Sequence, residues 1–347
     1  GVSVFATASG SAAQSTIAFV EHDKNMPVEN SKLELLIGPS INRTLLECVL
    51  GSDYSFRSSR FSSAVERSIS DVLGGVSLLK TIKVQNADSP ESTALTARIN
   101  SGIARLVSSQ RDDGAWSWSG RHAAKADRYI TSRAVWALAL AKRSGLSVPA
   151  GTLNAGTARL KTQFTSSSTS DREGQAIILH GLAQAGEADF AFANRLYRER
   201  NNLSVSGLLH LTLTLIELDR KEMATDLLEL VDLPTTSSNG QTAAVLRCIP
   251  WMQSGVELRA LHLLALEVLH PADKSAKERA TWLRAARTGF RWQQEKANGP
   301  AVIALADWFA RTKFNDEKYS LAISVNEKDV ETIEFDPAVD GVSFTVP

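Results

Sequence analysis

The residues able to do chemistry in this chain are few and scattered. Its only cysteines are Cys48 and Cys248, and it holds 6 histidines among 347 residues. A thiol acts as nucleophile or metal ligand once ionised, which needs a polar, partly exposed setting. Cys48 lies beside Leu45, Leu46 and Val49, so it reads as a small core residue. Spacing does not decide whether it pairs with Cys248. Cys248 and His262 would make two zinc ligands, but their separation fits no metal-binding pattern, and His262 lies in a Leu-rich run. No metal and no cofactor is expected. Asp112 and Asp113 would serve as a cyclase acid only within an Asp-rich signature on a buried helix, and they fall in a turn. Asp127, Asp171 and Glu257 leave sugar hydrolysis open, because that reaction depends on the distance between two carboxyl groups. Arg57, Arg60 and Arg67, with Arg121, His122, Lys125 and Arg128, form basic patches, either solvated faces or an interface with a neighbouring domain.

The elements that position these residues are mostly helices. Hydrophobic residues make up 43% and charged residues 22%, which suits a folded chain with a sizeable core. Lys plus Arg equals Asp plus Glu at 38 each, so charge gives no case for nucleic acid as partner. No apolar run is long enough to span a bilayer. The chain begins at Gly1 rather than Met, which reads as a piece of a longer or processed protein. Ser92 to Ser109 predicts a helix with one apolar face carrying Ile99, Ile103, Leu106 and Val107. The next helix, about Tyr129 to Arg143, is apolar almost all round from Ala134 to Ala141 and must be buried on most sides.

That alternation continues. Residues 174–185, 208–218, 256–269 and 301–309 are densely apolar, while 152–164, 190–200, 221–231 and 275–286 are amphipathic. Roughly twelve helical segments in alternation predict a mainly α chain, an α/α toroid of about six helical hairpins with inner and outer rings. Trp116, Trp118, Trp136, Trp282, Trp292 and Trp308 fall at helix ends or on inner helices, where they pack rather than line a cavity. Both ends read as strands. Leu33, Leu35 and Ile37 alternate with their neighbours before Gly38-Pro39-Ser40, and Tyr319 to Val325, Ile333, Phe335 and Val342 to Val346 alternate again. The expected division is 1–40 as β-strands, 41–314 as the toroid and 315–347 as strands returning to one β domain.

The turn after the first of these helices reads Gln110-Arg111-Asp112-Asp113-Gly114-Ala115-Trp116. Gln-x-x-Asp-Gly-x-Trp resembles the motif that joins hairpins in α/α toroids: terpenoid cyclases, protein prenyltransferase β subunits and the thioester domains of the α2-macroglobulin and complement family. Gly289-Phe290-Arg291-Trp292 looks like a worn second copy. Further features, taken in order, resemble the bacterial α2-macroglobulin thioester domain: Pro27 to Glu34, Gly38-Pro39-Ser40, Ser59-Arg60-Phe61, Ile103 to Leu106, Tyr129 to Ser132, Arg195 to Arg200, Glu257 to Ala260 and Trp282. The resemblance implies a domain of a larger extracytoplasmic protease inhibitor that traps its target after a bait segment is cut. Its partners would be the parent chain's other domains and target proteases.

The family's thioester joins a Cys to a Gln three residues on. Anchored on Ser59-Arg60-Phe61, those positions here hold Asp53 and Phe56, and no Gln stands at that spacing after Cys48 or Cys248. The section matching the family's activating histidine, Thr165 to Arg172, has none. A non-catalytic domain without covalent capture is the reading. A toroid enzyme, related to cyclases and prenyltransferases or acting on glycans, is the alternative, and it needs a deep axial cavity with convergent acids or a metal.

Overall fold

The computed structural model describes residues 33–37, 42–51, 64–85, 89–233, 254–287, 291–292, 294–311, 319–335 and 342–346. Twelve helices lie among them. The odd-numbered ones are outer: α1 (Asn42–Leu50), α3 (Pro90–Ser109), α5 (Ala150–Ser166), α7 (Phe190–Arg198), α9 (Lys221–Leu228) and α11 (Lys274–Ala285). The even-numbered ones are inner: α2 (Ala64–Gln85), α4 (Arg128–Arg143), α6 (Arg172–Gln184), α8 (Val205–Glu217), α10 (Gly255–Leu269) and α12 (Glu295–Arg311). Each inner helix packs on the next, and α12 packs on α2, so the inner ring closes. The outer helices α5, α7, α9 and α11 each wedge between two inner neighbours, as α1 does between α12 and α2. The fold is the expected α/α toroid.

Local sequence explains where the helices start. Ser89, Asp127, Asp171, Asp189, Ser204, Ser254 and Asp273 stand just before α3, α4, α6, α7, α8, α10 and α11, and each side chain accepts a backbone N–H of the first turn. Burial then sorts the rings. From Tyr129 to Ala139 every residue of α4 is buried, whereas α7 buries only Ala193 and Leu196.

One boundary differs from expectation. The helix read as beginning at Ala301 begins at Glu295 and runs through Pro300. A proline removes the donor for the carbonyl four residues earlier. That carbonyl belongs to Lys296, and the Arg133 guanidinium supplies the missing hydrogen bond. A side chain from another helix makes the proline tolerable.

Two two-stranded sheets complete the described residues. β1 (Leu33–Ile37) pairs antiparallel with β4 (Val342–Val346), Leu33 opposite Val346, so strands from the two ends of the chain meet. β2 (Tyr319–Val325) and β3 (Lys328–Phe335) form a hairpin. Asn326 and Glu327 turn it with φ of 51° and 64°, the left-handed pair that suits strand twist. The strands read before Leu33 lie outside the described residues.

Candidate functional site at the toroid axis

The turn motif is a structural clasp. Gln110 Nε2 donates to the Gly114 carbonyl at 3.0 Å and to the Thr152 carbonyl at 2.9 Å. The amide thereby closes its own turn and ties it to α5. Gly114 has φ of +80°, and a Cβ there would stand 2.4 Å from the Ala155 carbonyl oxygen. Trp116 is fully buried and donates through Nε1 to the Leu106 carbonyl at 2.7 Å. Trp292 repeats this toward Leu283 at 2.9 Å, so the worn copy keeps the same bond to its preceding outer helix. Asp113 accepts from Arg111 at 3.1 Å and from the Ala115 N–H at 3.2 Å, which stiffens the turn.

The other sequence candidates separate. Asp127 and Asp171 cap α4 and α6, and Asp171 also pairs with Arg128 at 2.5 Å. Neither shares a hydrogen bond or ion pair with Glu257 among the described residues. Cys48 is buried, and burial pushes its thiol up to about 11. His262 is buried on α10, with burial holding its imidazole down at about 4. Asp53, Phe56, Arg57, Arg60 and Cys248 lie outside the described residues. No group of three or more potential metal ligands occurs among the described residues.

The polar centre sequence reasoning missed lies on the axis. α4 and α10 are opposite members of the ring, yet Arg133 Nη1 meets Glu257 Oε1 at 2.6 Å. The ion pair therefore crosses the middle of the barrel. Lys296 Nζ reaches Glu257 Oε2 at 3.0 Å, and the Tyr129 hydroxyl donates to Oε1 at 2.8 Å. All four residues are buried. Burial alone would raise the Glu257 carboxyl, but Lys296 and Arg133 outweigh it and hold it below its ordinary range. Glu66, buried in the first turn of α2, is the opposite case: burial lifts it to about 8 despite Arg133.

Deeper along the axis, Trp136 packs on His180 with ring centroids 4.7 Å apart. His180 Nδ1 and His210 Nδ1 lie 3.0 Å apart. Gln184 accepts from Arg143 through Oε1 at 2.5 Å, so its amide nitrogen faces His180 Nε2 at 3.3 Å and Glu217 at 3.2 Å. With Nε2 of His180 as acceptor, its proton sits on Nδ1 and is donated to His210. Burial holds both imidazoles neutral, His210 down at about 3. These side chains bond one another along one side of the ring and join the consecutive inner helices α4, α6 and α8. The signal available in sequence was charged and amide residues on otherwise apolar inner helices, together with Pro300 inside one of them.

No protein-family model matches the sequence, and no curated protein matches it. Solved structures do. The chain is 18% identical to a Salmonella α2-macroglobulin reacted with methylamine, with TM-score 0.62 over 90% of this chain and 20% of that one. It is 19% identical to native Escherichia coli α2-macroglobulin spanning domain MG7 to the C-terminus, with TM-score 0.63 over 90% of this chain and 48% of that one. Against E. coli α2-macroglobulin in its native conformation the values are 18% and 0.64, over 91% and 19%. The chain thus spans about a fifth of the length of the longer structures. At this identity the likeness concerns fold alone: the ring of six inner helices clasped by outer ones is the fold this chain shares with part of the bacterial α2-macroglobulin structures.

Proposed function

We propose that this chain is the thioester-type domain of an endopeptidase inhibitor related to the bacterial α2-macroglobulins, that it has lost the thioester, and that the inhibitor works by bait and trap without covalent capture. The observation that carries the reading is the combination of that fold with Asp53 and Phe56 where the family's Cys and Gln would stand. An aspartate carboxyl and a phenyl ring cannot close a thioester. The axis supports a structural role, since a buried salt bridge ties its opposite walls together. Residues 1–40 and 315–347 would form one β domain carrying the toroid as an insertion, as the pairing of β1 with β4 favours. The partners would be the remaining domains of the parent chain and the trapped protease, and the setting extracytoplasmic. None of the described helices is long and apolar enough to cross a membrane.

Methylamine tests the central point. A thioester takes up one amine and frees one thiol. Incubation with methylamine, followed by intact mass and thiol titration, should leave both unchanged. An adduct with one newly released thiol would overturn the reading.

A further inference from the structure

We propose that a small cleft between α2 and α3 is an oxoanion-binding site, able to take one carboxylate or phosphate group. The site is independent of the inhibitor reading. Its lining comes from one face of each helix: Arg67, Ser68 and Asp71 on α2, and Arg98, Ser101 and Arg105 on α3. The space is about 30 Å³, enough for about two oxygens of such a group, the rest of which would stand at the cleft mouth. Gly102 makes the cleft possible, because a Cβ there would stand 2.7 Å from Val72 Cγ2 and 3.3 Å from the Ser68 carbonyl. The two helices are therefore in close approach at its floor.

Charge argues for an anion. Three guanidinium groups surround the space, with one carboxylate between them. That carboxylate, Asp71, is already engaged on both oxygens, with Arg98 at 2.7 Å and with Arg291 at 2.7 Å. Arg291 in turn holds Glu295 at 2.9 Å. Arg67 and Arg105 make no ion pair within 4 Å among the described residues, and Glu295 and Asp71 act on Arg67 only from a greater distance. Burial first, then the Arg291 charge, press the Arg67 guanidinium toward a lower pKa than usual, and the Glu295 and Asp71 carboxylates offset this only in part. A guanidinium fork matches the two oxygens of a carboxylate or phosphate and binds them through charge-assisted hydrogen bonds. An anion here would relieve the repulsion among the arginines and meet the Ser101 hydroxyl.

The test is calorimetric titration of the chain with sodium phosphate and, separately, sodium acetate at constant ionic strength and pH 7. Saturable 1:1 binding of either anion is expected. Arg67→Gln and Arg105→Gln should each weaken it at least ten-fold, while Arg121→Gln, outside the cleft, should leave it unchanged. Arg105 is exposed, so Arg105→Gln keeps the fold even if Arg67→Gln does not. Phosphate binding without acetate binding would identify a phosphate site, and the reverse a site for acidic side chains or free acids. Absence of saturable binding by both anions, or binding that Arg105→Gln leaves intact, would overturn the proposal.

Discussion

Replacing Glu257 by glutamine should destabilise the toroid at its centre. The carboxylate takes the Arg133 guanidinium at 2.6 Å, the Lys296 ammonium at 3.0 Å and the Tyr129 hydroxyl at 2.8 Å. Glutamine keeps the shape but removes the charge, leaving two buried cations facing an amide. Breaking one side of a buried ion pair costs about 3–5 kcal/mol, because the remaining charge stays desolvated. Urea denaturation at pH 7 should show that loss as a lower midpoint at unchanged slope. Tyr129→Phe removes one hydrogen bond to a charged group and should cost less, about 1.5–3 kcal/mol. The pH dependence has a definite sign. The folded Glu257 carboxyl is held below its ordinary range, so its contribution is present above the unfolded carboxylate pKa and is lost as pH falls through the folded value. The gap between parent and Glu257→Gln should therefore narrow on acidification below about pH 4. A loss under about 1 kcal/mol at neutral pH would refute the ion pair across the axis.

Glu267 should behave in the opposite sense. It is buried, one of its oxygens has no hydrogen-bond partner among the described residues, and burial lifts its carboxyl to about 9. Its stabilising share is present below the unfolded pKa and is lost as pH rises toward 9, so Glu267→Gln should match the parent near pH 4. At pH 8–9 it should exceed the parent by on the order of a few kcal/mol, read from thermal melts across that range. Gln110→Ala removes hydrogen bonds to Gly114 and Thr152, and chemical denaturation should report a loss of about 1–3 kcal/mol. Gly114→Ala should be harsher, since the new Cβ meets the Ala155 carbonyl at 2.4 Å in left-handed backbone; a circular-dichroism melt unchanged from the parent would contradict that geometry. Cys48, buried with its thiol raised to about 11, should resist iodoacetamide at pH 8 in the folded protein and react in urea, as peptide mapping would show.

The alternation of helices apolar all round with helices apolar on one face is a pattern of residue types, so sequence alone gave the two rings. Trp116 and Gly114 were legible for the same reason: a buried indole and a left-handed turn are local demands. The capping residues at α4 and α6 were legible only as carboxylates, and structure turned Asp127 and Asp171 from candidate acids into helix caps. What tertiary structure decided is the axis. Arg133 and Glu257 stand 124 residues apart, and nothing in their own neighbourhoods says that ring closure puts α4 opposite α10. Pro300 shows the same limit, since by local rules it ends or kinks a helix. It lies inside α12 because Arg133, brought across the closed ring, occupies the Lys296 carbonyl that the proline leaves without a donor. Local hydrogen bonding and periodicity can be read one segment at a time; a contact through the centre of a ring exists only once every segment has taken its place.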